Sequence, residues 1–140
     1  MNLPIIEVAR KRAYPPRVSA FTQPFWDALS QGRFITTVCT RCGKPAFVPK
    51  PICPHCWCDK VEWQDLSTHG VLYSWTRVHA APAAFVEEAP FPVGIIDLDI
   101  NLRLACRLVE SGKGEFVPGK PMEMVVLKYQ DGPMFAARQV

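Results

Sequence analysis

Two Cys-x-x-Cys pairs, Cys39/Cys42 and Cys53/Cys56, stand ten residues apart in the first half of this 140-residue chain. As thiolates, four such sulfurs can converge on one metal ion, which pins the whole segment into paired turns. Four sulfur donors complete a tetrahedral zinc and leave no open position, so the site organises structure rather than performing chemistry. The intervening residues agree with this. Four of the fourteen prolines fall between Lys44 and Pro54, and Gly43 lets the chain reverse after the first pair. The expectation is one structural Zn²⁺ per chain, held by Cys39, Cys42, Cys53 and Cys56.

Iron in a rubredoxin-like site is the main competitor, because the Cys53-Pro54-His55-Cys56 knuckle suits both metals, and redox disulfides come third. Cys58 breaks the paired spacing and reads as a free thiol. His55 sits inside the second knuckle and points away from the metal. Cys106 alternates with leucines and reads as a buried, inert thiol.

Charge narrows the functional classes. The formal charge is +3 with cysteines counted as neutral. Four thiolates and one divalent ion lower it by two, leaving about +1, too little for a strongly basic nucleic-acid binder. Arg10, Lys11, Arg12 and Arg17 still crowd the N-terminal arm. No apolar run approaches the roughly 20 residues that span a bilayer. MNLPIIEVARKRAYPPR does not read as a secretory signal, so the expected setting is the reducing cytoplasm.

Three zones organise the chain. Residues 1–37 form a lead segment with a short helix expected from about Thr22 to Gln31. Thr22 suits the N-cap, Pro24 the first turn and Gly32 the C′ position. Phe21, Phe25 and Leu29 share one face of it, with Trp26 beside them. That face either packs on the chain's own core or docks a partner. Residues 38–66 form the ribbon. Residues 67–140 read as about five short antiparallel strands. In Val93 to Ile100, Ile96, Leu98 and Ile100 oppose Asp97 and Asp99. In Leu102 to Val109, Leu102, Leu104, Cys106 and Leu108 point inward. Turns are expected at Asp99-Ile100-Asn101 and Asp131-Gly132-Pro133. The fold class is mainly β: an N-terminal helix, a rubredoxin-like zinc ribbon and a five-stranded OB-fold barrel.

Catalytic signatures are missing from the sequence. His55, His69 and His79 share no motif with a carboxylate or serine, and there is no Gly-rich phosphate loop and no Gly-x-Ser-x-Gly. Adjacent Glu87-Glu88 read as a solvated loop face. The proline-flanked loop from Ala80 to Pro92 carries Phe85, Val86 and Phe91, apolar residues suited to binding. Single-strand nucleic-acid binders need aromatic platforms flanked by positive charge. Strands 93–100 and 102–109 carry no aromatic residue, which makes nucleic acid the lesser alternative.

The ordered series FTQPFWDALSQGRF, CTRCGKPAFVPKPICPHC, GVLYSWTRVHAAP, APFPVGIIDLD and VPGKPMEMVV resembles the zinc-ribbon/OB-fold proteins that accompany thiolases and other acyl-CoA enzymes. The resemblance covers nearly the whole chain. Ser67-Thr68-His69-Gly70 departs from the usual Ser-Gly-x-Gly, and Ala80 and Lys50 replace basic residues common there. The resemblance implies a non-catalytic accessory subunit in a hetero-oligomer with a thiolase, a thiolase-like retro-aldolase, an acyltransferase or a hot-dog-fold enoyl-CoA hydratase. Such members stabilise the partner and help form the acyl-CoA site. It further implies partner docking through Phe21, Phe25, Trp26, Leu29, Phe85 and Phe91. Arg41, Lys44 and Lys50 on the ribbon are the candidate CoA contacts, with plain surface charge as the alternative.

Overall fold

A computed structural model describes residues 2–99 and 101–140. Its elements are β1 (Ile5–Glu7), α1 (Gln23–Ser30), β2 (Ile35–Cys39), β3 (Pro45–Ala46), β4 (Val61–Asp65), β5 (His69–Val78), β6 (Phe91–Leu98), β7 (Leu102–Val109), β8 (Pro121–Tyr129) and β9 (Gly132–Gln139). Strands β5 to β9 follow the order β8-β5-β6-β7-β9, and the β8–β9 pairing closes them into a five-stranded barrel. A second, three-stranded sheet in the order β3-β2-β4 carries the cysteines.

The period-two patterns become the barrel wall. Ile96 and Leu98 on β6, and Leu102, Leu104, Cys106 and Leu108 on β7, are buried, while Asp97 faces Arg103 across the ladder. The expected turn residue Ile100 lies outside the described residues. The second turn differs from expectation by one position. Tyr129 pairs with Gly132, so Gln130 and Asp131 form the hairpin loop. Gly70 at the start of β5 is required by close approach: a Cβ there would meet the backbone oxygen of Asp97 at 2.4 Å.

The lead segment is woven into the barrel rather than standing apart from it. β1 pairs in parallel with residues 126–128 of β8, beyond the stretch of β8 that pairs with β5. The arm then crosses the β8–β9 hairpin, where the Arg12 N–H donates to Asp131 Oδ1 at 2.8 Å and its guanidinium to the Asp131 and Pro133 carbonyls. The ribbon sheet also begins earlier than residue 38, since Ile35 opens β2.

Helix α1 ends in a Schellman closure, with Gly32 at φ 82° and Arg33 N–H donating to the Ala28 carbonyl at 2.8 Å. Thr22 occupies the N-cap without a side-chain cap bond, because its Oγ1 accepts from the Ser19 N–H at 2.9 Å. The apolar helix face is spent on the chain's own core. Phe25 is 2% exposed and Leu29 fully buried. Phe25 packs against Phe34, Phe47 and Phe135, with ring centroids 5.8–6.4 Å apart. These rings tie helix, ribbon and barrel into one core. The docking expectation is therefore corrected for Phe25 and Leu29: Phe25, set among three rings, and Leu29 are both buried in the chain's own core. Phe21 and Trp26 stay half-buried, Phe21 lying 5.6 Å from Trp63. Among the described residues no helix is long and apolar enough to cross a membrane.

Candidate functional site

The two knuckles are built alike. Gly43 N–H donates to the Cys39 carbonyl and Trp57 N–H to the Cys53 carbonyl, both at 2.9 Å. Each closing residue has positive φ, 74° at Gly43 and 66° at Trp57. Gly43 was legible as the reversal point. A tryptophan in the left-handed region was not, because bulky side chains rarely adopt it. Trp57 is 80% exposed.

These turns bring the sulfurs of Cys39, Cys42, Cys53 and Cys56 within 4.8 Å of one another. Cys39 and Cys56 lie 3.5 Å apart, and Cys42 and Cys53 3.6 Å. A tetrahedron with metal–sulfur bonds of ~2.3 Å has edges of about 3.8 Å, so the quartet fits one ion closely. Backbone amides point at the sulfurs: Arg41 and Cys42 N–H donate to Cys39 Sγ at 3.3 and 3.4 Å, and His55 N–H to Cys53 Sγ at 3.4 Å.

Backbone amides, burial and neighbouring sulfurs pull these thiols in opposite directions. The Cys42 amide, with help from that of Arg41, lowers the Cys39 thiol to about 6 against an opposing burial cost. Burial raises Cys53, but the amides of Cys56 and His55 outweigh it and the net direction is down. The Cys58 amide would lower Cys56, yet burial and the three neighbouring sulfurs push it up to about 12. Four sulfurs this close could all ionise only around a positive centre. Cys58 stays outside the quartet, its sulfur accepting from Lys60 N–H at 3.4 Å. Cys106, 8% exposed, is pushed up to about 12 by burial, as an inert core thiol should be.

Beside the metal centre, a cleft of about 760 Å³ opens between ribbon and barrel. Lys44, Lys50 and His55 line it from the ribbon side, Asn101 and Arg103 from the barrel. Arg41 is exposed and lies outside this lining. Both lysines are anchored through their backbones. The Lys44 carbonyl accepts from Cys39 N–H at 3.1 Å, and Lys50 is held by the buried Thr37 hydroxyl. Among the described residues neither lysine has an ion-pair partner.

Arg103 escaped sequence reading as a site residue. Its outward position on β7 was legible, but the neighbours that hold it come from other strands. Its Nε and Nη2 donate to the Asp97 carboxylate at 2.6 and 3.0 Å, which holds that carboxyl below its ordinary value. Elsewhere, the Phe85 and Phe91 rings lie tilted to one another with centroids 6.0 Å apart and line a separate, largely apolar cleft of about 480 Å³. His69 contacts Thr68 Oγ1 at 3.0 Å and lies 3.8 Å from Glu123.

Residues 26–62 match the family model of the ChsH2 rubredoxin-like zinc ribbon domain, and residues 63–127 that of the ChsH2 C-terminal OB-fold domain. A DUF35 domain-containing scaffold protein of Methanocaldococcus jannaschii is 30% identical over 95 residues, covering 66% of this chain and 67% of the relative. The chain belongs to the DUF35 family. Another relative is the benzoylsuccinyl-CoA thiolase subunit BbsA of Thauera aromatica, 33% identical over 93 residues, 66% of this chain and 62% of that subunit. Among solved DUF35 structures, a chain of the Ltp2-ChsH2(DUF35) aldolase superposes with a TM-score of 0.74 at 24% identity, covering 89% of this chain and 98% of that one. A DUF35 protein of unknown function from Sulfolobus solfataricus gives 0.59 at 19% identity, covering 86% of each chain. These structural likenesses are of fold. They agree with the helix, cysteine ribbon and closed barrel described above.

Proposed function

We propose that this DUF35 chain is a non-catalytic accessory subunit of an acyl-CoA-processing complex, in which a thiolase-type partner makes or breaks the carbon–carbon bond. The observation that carries the reading is its kinship with a scaffold protein and with a thiolase subunit, joined to a cleft with two anchored lysines that form no ion pair among the described residues. In this role the quartet holds one Zn²⁺ per chain. Cys39, Cys42, Cys53 and Cys56 supply all four donors, so the ion stiffens the ribbon and presents Lys44 and Lys50 at a fixed place. The lysines meet phosphates of the CoA head group as point charges. Arg41, on the outer side of the first knuckle, contributes longer-range attraction.

Partner contact falls to surfaces that the chain's own core leaves open. These are the half-buried Phe21 and Trp26, Phe85 on the β5–β6 loop and Phe91 at the start of β6, and the assembly is a hetero-oligomer. The setting is the cytoplasm, where reducing conditions keep clustered thiols available to a metal. The test is co-expression with a thiolase-type enzyme. The expected result is co-purification of the two chains and acyl-CoA turnover that collapses when this chain is omitted. Full partner activity in its absence would refute the role.

A further inference from the structure

The lysine-lined cleft takes Leu102 and Arg103 at the start of β7. The apolar cleft of about 480 Å³ takes Ala105, Cys106 and Arg107 further along the same strand. It sits where two strands part. β7 and β9 pair from Arg107 and Ala136 onward, and the residues just before that ladder, Ala105 and Cys106 on one strand and Met134 and Phe135 on the other, border the cleft. The remaining walls are fastened in place. Arg12, Ala13 and Tyr14 of the N-terminal arm form one side. The arm is tied to the β8–β9 hairpin by the Arg12 clamp on Asp131 and Pro133, and by Gln130 N–H donating to the Arg10 carbonyl at 2.9 Å. Pro82, Phe85 and Glu88 of the β5–β6 loop form the other side, held to the barrel by the Glu88–Arg107 pair at 3.3 Å. A concave, mostly apolar site of this size with a few fixed polar groups is how small-molecule sites are built.

Charge selects the ligand. Each guanidinium lining the cleft already has its own carboxylate, Arg12 that of Asp131 and Arg107 that of Glu88. The body of a ligand lying among these walls is therefore uncharged and apolar. The hairpin end differs. Burial and the Glu88 carboxylate raise the Tyr129 phenol, while Arg107 and Arg10 pull it the other way. The phenol stays protonated, a neutral donor within electrostatic reach of two guanidiniums. Arg10 is exposed and forms no ion pair among the described residues. One unmatched cation beside one neutral donor suits a single negative charge better than a phosphate dianion. We propose that this cleft binds an apolar monocarboxylate, its hydrocarbon body between the arm and the β5–β6 loop and its carboxylate at Tyr129 Oη and Arg10. The site is separate from the ribbon–barrel cleft, and the inference does not rest on the acyl-CoA reading. Phe85 and Phe91 are among its walls, so a partner seated on that loop would cover a filled cleft.

The test titrates octanoate into the full-length, metal-loaded chain by calorimetry, with acetate, 1-octanol and a capped Glu-Phe-Glu peptide as further arms. Octanoate should bind about a hundredfold or more tighter than acetate, because its chain leaves water. 1-Octanol should bind about tenfold weaker than octanoate, because it lacks the charge-assisted hydrogen bonds. Arg10→Gln should erase the preference for octanoate over octanol and leave octanol binding unchanged. Ala105→Trp, at an exposed position on the β7 wall, should fill the cleft and abolish binding of both, with metal content and unfolding midpoint unchanged. Undetectable octanoate binding, acetate as tight as octanoate, an Arg10→Gln variant that keeps the preference, or a folded Ala105→Trp variant that still binds would each overturn the assignment. So would a peptide tighter than octanoate, which gives the cleft to a protein segment, or a dimer that octanoate dissolves, which gives it to a second copy of this chain. The titrations use the isolated chain, so their outcome is scored apart from co-purification with a thiolase-type partner.

Discussion

The hydroxyl of Thr37 clasps Lys50 through its backbone: it accepts the Lys50 N–H at 2.9 Å and donates to the Lys50 carbonyl at 3.1 Å. Thr37 is 1% exposed and sits on β2, two residues before Cys39. One side chain therefore couples the cleft lysine to the strand that starts the metal site. Thr37→Val keeps the volume and strands both Lys50 groups, so it should destabilise the chain by ~1–3 kcal/mol. Thr37→Ser should retain most of the stability. Urea unfolding of the two variants checks this, and equal losses would show that the hydroxyl is not the cause.

Metal loading should be stoichiometric and structural. The expected result is one zinc per chain by elemental analysis. Cys39→Ser or Cys53→Ser should abolish tight metal binding and lower the unfolding midpoint of the chain, whereas the fold itself persists. Cys58→Ser should leave metal content unchanged. One iron with a rubredoxin-like visible spectrum would overturn the assignment of the ion.

Removal of the metal should expose an ordered titration. In the metal-free chain Cys39 is lowered from 9.0 to about 6, chiefly by the Cys42 amide. A lowered acid group stabilises the fold when ionised. That contribution is complete above about pH 9 and is lost as pH falls through about 6. Cys56 is raised to about 12, so its contribution as a neutral thiol is complete below about pH 9 and is lost as pH rises through 12. Ultraviolet thiolate absorbance should rise first near pH 6 in the metal-free chain. The loaded chain should show no such step, and an identical rise in both would refute the coupling.

Phe25 distinguishes a core from a docking surface. Its ring is shared by helix, ribbon and barrel, so Phe25→Ala should cost ~3–5 kcal/mol and be seen as a lower unfolding midpoint of the isolated chain. Half-buried Trp26→Ala should cost less. A Phe25→Ala chain of unchanged stability would return that residue to the docking surface.

The loop of residues 79–90, between β5 and β6, is latched to the barrel by Glu88 and Arg107, 3.3 Å apart and 11% and 21% exposed. Arg107 also lies 3.9 Å over the Phe91 ring. Glu88→Ala leaves this guanidinium half-buried and unpaired, and should destabilise by ~1–3 kcal/mol. Limited proteolysis should then cut the loop faster than in the unaltered chain. An unchanged digestion rate would show that the latch does not hold it.

Much of this molecule was written in short-range order. The four cysteines, the helix bounded by Thr22 and Gly32, and the period-two strands depend on spacing along the chain, and spacing is what a sequence displays. Lys44 and Lys50 were visible as ribbon charges for the same reason. What tertiary structure alone decided involves residues far apart in sequence. The β1–β8 pairing and the Arg12 clamp on Asp131 join the two ends of the chain. The burial of Phe25 depends on Phe34, Phe47 and Phe135, three rings brought together by different elements. The setting of Arg103 depends on a β5 bulge at Tyr73, whose ring lies 3.7 Å from the guanidinium carbon, and nothing local to either residue announces it. Local pattern determined a metal ribbon and a small barrel. Their packing against one another decided which aromatic residues are core, which lysines share a cleft, and which arginine faces it.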